Sequence, residues 1–284
     1  MTMFRFDRFF SLSFIDPLIR INHFNTNKYA SILMYHSISN DFNKFSHPYY
    51  ETNTSPKTFS MHMAYLNDNG YTVLPIHDVI EYLKSGSDSL QKVVAITFDD
   101  GFYDFYSNAF PILESQGFPS TVFLPTEAIN TNKSSFSLKS YLSWKQVQEL
   151  HSRGVSFGSH TVTHPKLVEL GAEAVRLEIK HSKEEIENNL SAKISSFAYP
   201  YAFPEENAQF VSMLRKMLIS IGYENGVTTK IGQSSKRDDP YFMRRIPINE
   251  FDDLPFFRAK ISGAYNWLHT FQYLYKKAKV IFNT

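Results

Sequence analysis

Short apolar runs alternate with longer amphipathic ones along most of this chain, and that alternation restricts its fold more than any other feature. "ASILMYHSI", "VVAITF", "STVFL", "VSFGSH" and "ISSFAYP" read as buried strands, the first over residues 30–36, and each gives way to polar residues. "TVLPI", "ENGVTT" and "RRIPI" are further short strands. Helical patterns fill the intervals. "SPKTFSMHMAYLNDNGY" has Pro56 near its start, Phe59, Met63 and Leu66 on one face, and Gly70 at its end. "HDVIEYLKSG" is a helix closed by Gly86, and "YDFYSNAFPILESQG" is helical with a kink or restart at Pro111. "SWKQVQELHSRG" carries Ser143 as N-cap and Gly154 as C-cap. Residues 172–190 form a long charged helix, and 205–221 another. Such alternation is that of βα units with a parallel sheet. Seven or eight units in about 250 residues fit a distorted (β/α) barrel with a parallel strand core better than an open sheet. With no repeat or linker, residues 1–284 read as a single domain: a barrel over about 29–262 with amphipathic terminal segments at 1–28 and 263–284. The polar stretch 129–139 reads as a surface loop.

Composition removes several function classes. A formal net charge of +1 over 284 residues, with no dense basic run, argues against nucleic acid as a partner. The absence of cysteine excludes a disulfide framework, thiolate metal sites and a cysteine nucleophile. Any metal must therefore be held by His, Asp or Glu. No run of ~18 apolar residues marks a transmembrane helix. The first 24 residues are a poor signal peptide, because Asp7, Arg8 and Asp16 interrupt the apolar run. These features lead to the expectation of a cytoplasmic protein or one peripheral at a membrane face. Both terminal segments mix aromatic and basic residues, as in Trp267, Leu268, Phe271 and Leu274 beside Lys276, Lys277 and Lys279. Peripheral membrane contact and ordinary packing on the domain are both open readings of such helices.

In a (β/α) barrel, chemistry collects where strands end at their C-terminal edge. Asp99 and Asp100 follow "VVAITF", His160 follows "VSFGS", His36 ends "ILMY", and Tyr199 to Tyr201 follow "ISSFA". Two adjacent carboxylates repel when both are ionised. The simplest account of them is a helix cap. A cation offers another. His160 and His164 are four residues apart, which on one turn puts two imidazoles on one side. Pro165 keeps the pair on a loop or a single turn. Alone, this spacing also suits two loop histidines. With a carboxylate from a neighbouring strand end it makes a His₂-carboxylate site with an open position. Zn²⁺ suits such a site, and Co²⁺, Ni²⁺, Fe²⁺ and Mn²⁺ share the chemistry. One aspartate would ligate the ion and the other would stand free as a general base.

"TFDDG", "SHTVTHP" and "FAYPYA" occur in the order and approximate spacing of the polysaccharide deacetylases, carbohydrate esterase family four, which this chain resembles over about residues 30–248. Its "MYHSI" start is similar to the poly-N-acetylglucosamine deacetylase branch. The resemblance implies hydrolysis of an N-acetyl group from an amino sugar by a water activated on a divalent metal. It also implies roles: Asp99 as base, Asp100, His160 and His164 as metal ligands, and Thr161 and Thr163 as shapers of the loop. Gly101 would let the backbone approach substrate, and the Tyr201 amide matches an oxyanion donor. Tyr199 and Tyr201 would line the acetyl or sugar pocket.

Two positions depart from the family. Many members carry an arginine where Ala198 stands, and that arginine orients the catalytic aspartate. Arg245 of "MRRIPI" is the candidate replacement; a surface arginine is the competing reading. A late Leu-x-His motif that often supplies the acid is not evident, and His269 sits in the wrong context. His36 is the candidate acid, against a hydrogen-bonded core histidine. The expected substrate is an N-acetylated amino-sugar glycan or a lipid-linked saccharide. Alternatives are a deformylase or deacylase on a lipid- or nucleotide-linked sugar, and a non-catalytic carbohydrate-binding barrel.

Overall fold

The computed structural model describes residues 5–21, 29–42, 47–85, 90, 92–134 and 137–282. Seven parallel strands form its centre: β1 (Tyr29–Tyr35), β2 (Val93–Phe98), β3 (Thr121–Leu124), β4 (Ser156–Ser159), β5 (Ser196–Ala198), β6 (Asn225–Ile231) and β7 (Met243–Pro247). Neighbours in the sheet follow chain order, and β1 closes the ring by pairing with both β2 and β7. Both faces of such strands are covered, which is why β1 and β2 are almost wholly buried and read as unbroken apolar runs.

The ring is closed only near its C-terminal rim. There β1 meets β7 at Leu33↔Ile246 and Met34↔Pro247, and β2 meets β3 at Thr97↔Thr121 and Phe98↔Val122. At the other end Tyr29 and Ala30 pair antiparallel with Ser235 and Ser234, while Val93 and Val94 pair with Thr72 and Val73. The barrel is therefore splayed at the bottom and tight where the strand ends carry polar residues. Ala30, Ile32, Val93, Ala95, Phe123 and Met243 share a buried cluster with helix Ile76–Ser85, and the larger apolar cluster lies against the outer helices.

Local chemistry sets the helix ends. Ser143 and Gln146 form a reciprocal capping box at Trp144–Ser152. The helix expected from residue 205 begins instead as Ala208–Ile221, because the Asn207 side chain accepts from the Phe210 amide and acts as its cap. Pro111 lacks an N–H to continue the ladder, and the segment before it widens into a π-turn at Phe105–Ala109 ahead of Phe110–Gln116. The stretch expected as a loop at 129–139 opens on the end of a short helix, Thr126–Thr131. Gly86 lies outside the described residues.

The first and last described helical segments, residues 5–21 and Trp267–Phe282, pack together beside the barrel mouth. The Phe10 and Trp267 rings meet at 4.8 Å, and the Trp267 indole N–H donates to Ser11 Oγ at 2.9 Å. Among the described residues, no helix is long and apolar enough to cross a membrane.

Candidate active site

Asp99 and Asp100 leave the end of β2 in opposite electrostatic surroundings. Asp99 faces Arg245, whose two terminal nitrogens donate to its two oxygens at 2.6 and 2.7 Å. Arg245 is itself fixed by donation to the Thr228 carbonyl at 3.0 Å and to Thr97 Oγ1 at 3.3 Å. The pairing of β6 and β7 shifts register between Met243 and Arg245, and such a bulge re-aims a side chain. Arg244 pairs with Asp238 while Arg245 is 1% exposed. Burial pushes the Asp99 carboxyl up, but Arg245 and then His160 outweigh it and hold the group well below the usual carboxylate range.

Asp100 has no such cation among the described side chains. Burial and the repulsion of Asp99 push its carboxyl well above the usual range, with Arg245 only partly opposing. Its Oδ1 is buried without a hydrogen-bond partner. That oxygen lies 3.7 Å from His160 Nε2 and 3.6 Å from His164 Nε2, and the two nitrogens are 3.2 Å apart. Tetrahedral ligands about 2.0–2.1 Å from Zn²⁺ stand roughly 3.3 Å from one another. The three donor atoms thus have the separations of one face of a metal tetrahedron, and an orphaned oxygen completes it. Asp100, His160 and His164 fit a divalent cation, and all three are buried.

The histidines are aimed by their surroundings. His160 Nδ1 lies 2.8 Å from the Ala198 carbonyl, so it is the protonated nitrogen and Nε2 presents its lone pair. Burial lowers the affinity of both rings for protons, taking His164 down to about 2 with His160 adding repulsion. The connecting loop is held by Glu178 of helix Ala172–Leu190. Its Oε2 accepts from the Val162 and Thr163 amides at 2.8 and 2.9 Å, and its Oε1 from Thr163 Oγ1 at 2.8 Å. Thr161 Oγ1 accepts from the His164 amide at 3.0 Å. Asp100, Thr161, His164 and Tyr201 all have left-handed backbone, at φ +72°, +71°, +56° and +58°. Such conformations are strained for residues other than glycine, above all for β-branched threonine, and cost roughly 1–3 kcal/mol each. The surrounding hydrogen bonds maintain them.

The remaining candidates divide. Tyr201 stands at the site, its ring 4.5 Å from that of His164 and 41% exposed. Tyr199 does not line the site. It turns into the core on the side opposite Ala198, edge-on to Phe203 at 5.1 Å and Phe210 at 6.3 Å, and the left-handed turn at Tyr201 is what separates the two tyrosines. Gly101 has φ +63°, and a Cβ there would come within 2.7 Å of Leu124 and 3.1 Å of Ile129. Its constraint faces the core rather than the solvent. His36 follows β1 and lines a cavity of about 640 Å³ together with Tyr49, Tyr50, Ile248 and Tyr275. Burial pushes its imidazole down to about 4, against the pull of Asp99.

Two site residues went unread in the sequence. Glu178 looks like one more charge on a solvated helix face. Thr97, beneath Arg245, looks like an ordinary strand residue.

A splayed seven-strand barrel with an aspartate pair and two histidines at its closed rim is the arrangement of a barrel hydrolase, with a His/His/Asp group that could hold a metal. The family sequence model described as Polysaccharide deacetylase matches residues 86–221. YxkH of Bacillus subtilis (strain 168), which carries the same family name, is 31% identical over 234 residues, spanning 82% of this chain and 75% of its own. The chain therefore belongs to the polysaccharide deacetylases, hydrolases acting on amide bonds. The poly-beta-1,6-N-acetyl-D-glucosamine N-deacetylase of Escherichia coli (strain K12) is 34% identical over 107 residues, 34% of this chain but only 16% of that enzyme. Streptococcus pyogenes deacetylase PplD, solved in complex with acetate, superimposes with a TM-score of 0.69 at 26% identity, covering 86% of this chain and 98% of its own.

Proposed function

We propose that this chain hydrolyses the N-acetyl amide of an amino-sugar glycan, releasing acetate and leaving a free amine. The observation that carries the reading is the division of labour between the two carboxylates: Asp99 neutralised by Arg245, and Asp100 left with an orphaned oxygen beside the Nε2 atoms of two imidazoles. The N-acetylglucosamine polymer named for the Escherichia coli relative and the acetate named with PplD support the substrate class.

Asp100, His160 and His164 would hold a divalent cation, Zn²⁺ first among the candidates, which acidifies a water and polarises the acetyl carbonyl. Asp99 receives the water's proton. Each of its oxygens already accepts one Arg245 N–H, so a lone pair remains on each. Arg245 takes the part played by the arginine absent at Ala198, holding Asp99 ionised and in place. His36 delivers a proton to the departing amine. It rests neutral, so it would take up a proton from solvent in the cavity it lines while Asp99 is still ionised and favours the imidazolium, and Asp99 would return the water's proton to solvent once acetate has left. The Tyr201 backbone amide, in its left-handed turn beside His164, is the oxyanion donor, and its ring borders the sugar.

The test is acetate release from short N-acetylglucosamine oligomers after reconstitution with Zn²⁺. Wild type should release acetate and Asp99→Asn should lose at least about a thousandfold in kcat/KM with metal still bound. Equal rates in the two proteins would remove Asp99 from the chemistry. Metal binding without acetate from the wild type would turn the reading toward another acyl group or a lipid-linked sugar.

A further inference from the structure

Among the described residues, eight of the nineteen exposed large hydrophobic side chains lie on the first and last helical segments. Phe6, Phe9 and Phe14 are 59%, 45% and 51% exposed on the first helical segment, and Phe271, Leu274 and Tyr275 are 62%, 58% and 71% exposed on the last. They are contiguous. Phe10 stacks on Phe6 at 5.8 Å, meets Phe14 at 5.5 Å and Trp267 at 4.8 Å, and Trp267 meets Phe271 at 5.4 Å. Both helices satisfy their buried faces first: Leu12, Ile15 and Leu268 pack on Phe256 and Tyr265, so the exposed rings are a second apolar face and not a displaced core. Exposed patches of this extent mark interaction surfaces.

Charge selects the occupant. Helix Trp267–Phe282 carries Lys276, Lys277 and Lys279 and no acidic residue. Rings and lysines along one helix match the headgroup region of an anionic bilayer, where aromatic rings sit at the acyl boundary and ammonium groups meet lipid phosphates. The cavity supplies a second reason. Its exposed lining residues, Tyr50 at 75% and Tyr275 at 71%, adjoin the patch, and His36 lies along its wall. A protein seated on this face would cover that mouth, whereas a bilayer would present membrane-borne molecules to it.

We infer that the aromatic face of the two outer helices docks on an anionic lipid surface, with the mouth of the His36 cavity turned toward the membrane. The docking itself does not depend on the proposed reaction, although the value of that orientation does. Vesicle flotation tests it without any turnover. Wild type should float with phosphatidylcholine vesicles containing phosphatidylglycerol, less with phosphatidylcholine alone, and less as salt rises. The triple variant Phe9→Ser, Phe14→Ser, Phe271→Ser should bind those vesicles roughly a hundredfold more weakly or worse, with its circular dichroism and its acetate release from soluble oligomers equal to wild type. Equal flotation of the triple variant, or no flotation of wild type at any composition, would overturn the inference. So would a wild-type dimer in solution that the triple variant makes monomeric, since a second copy would then cover the face. Loss of acetate release in both proteins with flotation intact would count against the proposed function alone.

Discussion

Two of the buried charge clusters around this barrel are balanced differently. Beneath the outer helices, Arg5, Asp7, Asp252 and Lys260 form a neutral set. Arg5 pairs with Asp7 at 2.6 Å and faces Asp252 at 3.6 Å, Lys260 meets Asp252 at 2.8 Å, and Tyr265 donates to Asp7 at 2.8 Å. At the rim, the single cation Arg245 serves two carboxylates, and both histidines are held neutral. The first set has the arrangement of a structural ion network, every charge answered. The second leaves the Asp100 carboxyl with no cation of its own, so that burial and Asp99 favour its neutral form, and a fold that buries such a group is holding it for a ligand. Acid groups alone do not distinguish the two places. The count of cations does.

Removing charges one at a time should separate them. The largest effect is expected from Arg245→Met, which strands Asp99 in the core. Denaturant titration should show a loss of about 3–5 kcal/mol, and kcat/KM should fall at least a hundredfold. Asp252→Asn should be destabilising on a similar scale, about 3 kcal/mol in the same titration, because Lys260 and Arg5 lose a partner; acetate release per folded molecule should be unchanged.

A pH effect comes third and belongs to the structural region. His62 is fully buried, its Nδ1 3.0 Å from the Tyr35 hydroxyl and its Nε2 2.7 Å from the Asp252 carbonyl. Burial lowers it from 6.5 to about 4. The unfolded chain then takes up this proton first as pH falls. Its contribution is complete above about pH 6.5 and is lost progressively down to about pH 4, roughly 3 kcal/mol in all. His62→Gln should flatten that part of the stability–pH curve.

The smallest effect concerns the loop between the metal-site histidines. Glu178→Ala frees two amides and a hydroxyl. Zn²⁺ affinity by chelator competition should fall about 10- to 100-fold, with unfolding of the metal-free protein shifted by less than about 2 kcal/mol.

Much of this was legible in the chain. Parallel strands buried on both faces leave apolar runs that end sharply, so the strand ends and the residues following them could be placed. Ser143 and Asn207 sit where side-chain caps are needed, although only Ser143 was read as one. Arg245 could be put on a late strand, yet its inward aim depends on a register shift between β6 and β7 that no pattern encodes. Tyr199 and Tyr201 look equivalent because alternation puts them on one side, and the left-handed turn at Tyr201 that separates them leaves no pattern in the sequence. Glu178 escaped because a carboxylate on a charged helix looks solvated until the loop it holds is seen. The outer helices were ambiguous for a physical reason: each has two apolar faces, and only packing shows which one is spent on the core.

The most direct test of the central claim is the thermal stability of wild type and Asp100→Asn, each with and without Zn²⁺. If the Asp100 carboxyl is kept for a cation, the metal-free variant should be more stable than metal-free wild type by about 1–3 kcal/mol, and Zn²⁺ should raise the melting temperature of wild type only. A metal-free variant less stable than wild type, or one that Zn²⁺ stabilises equally, would show that Asp100 belongs to the structure rather than to the site.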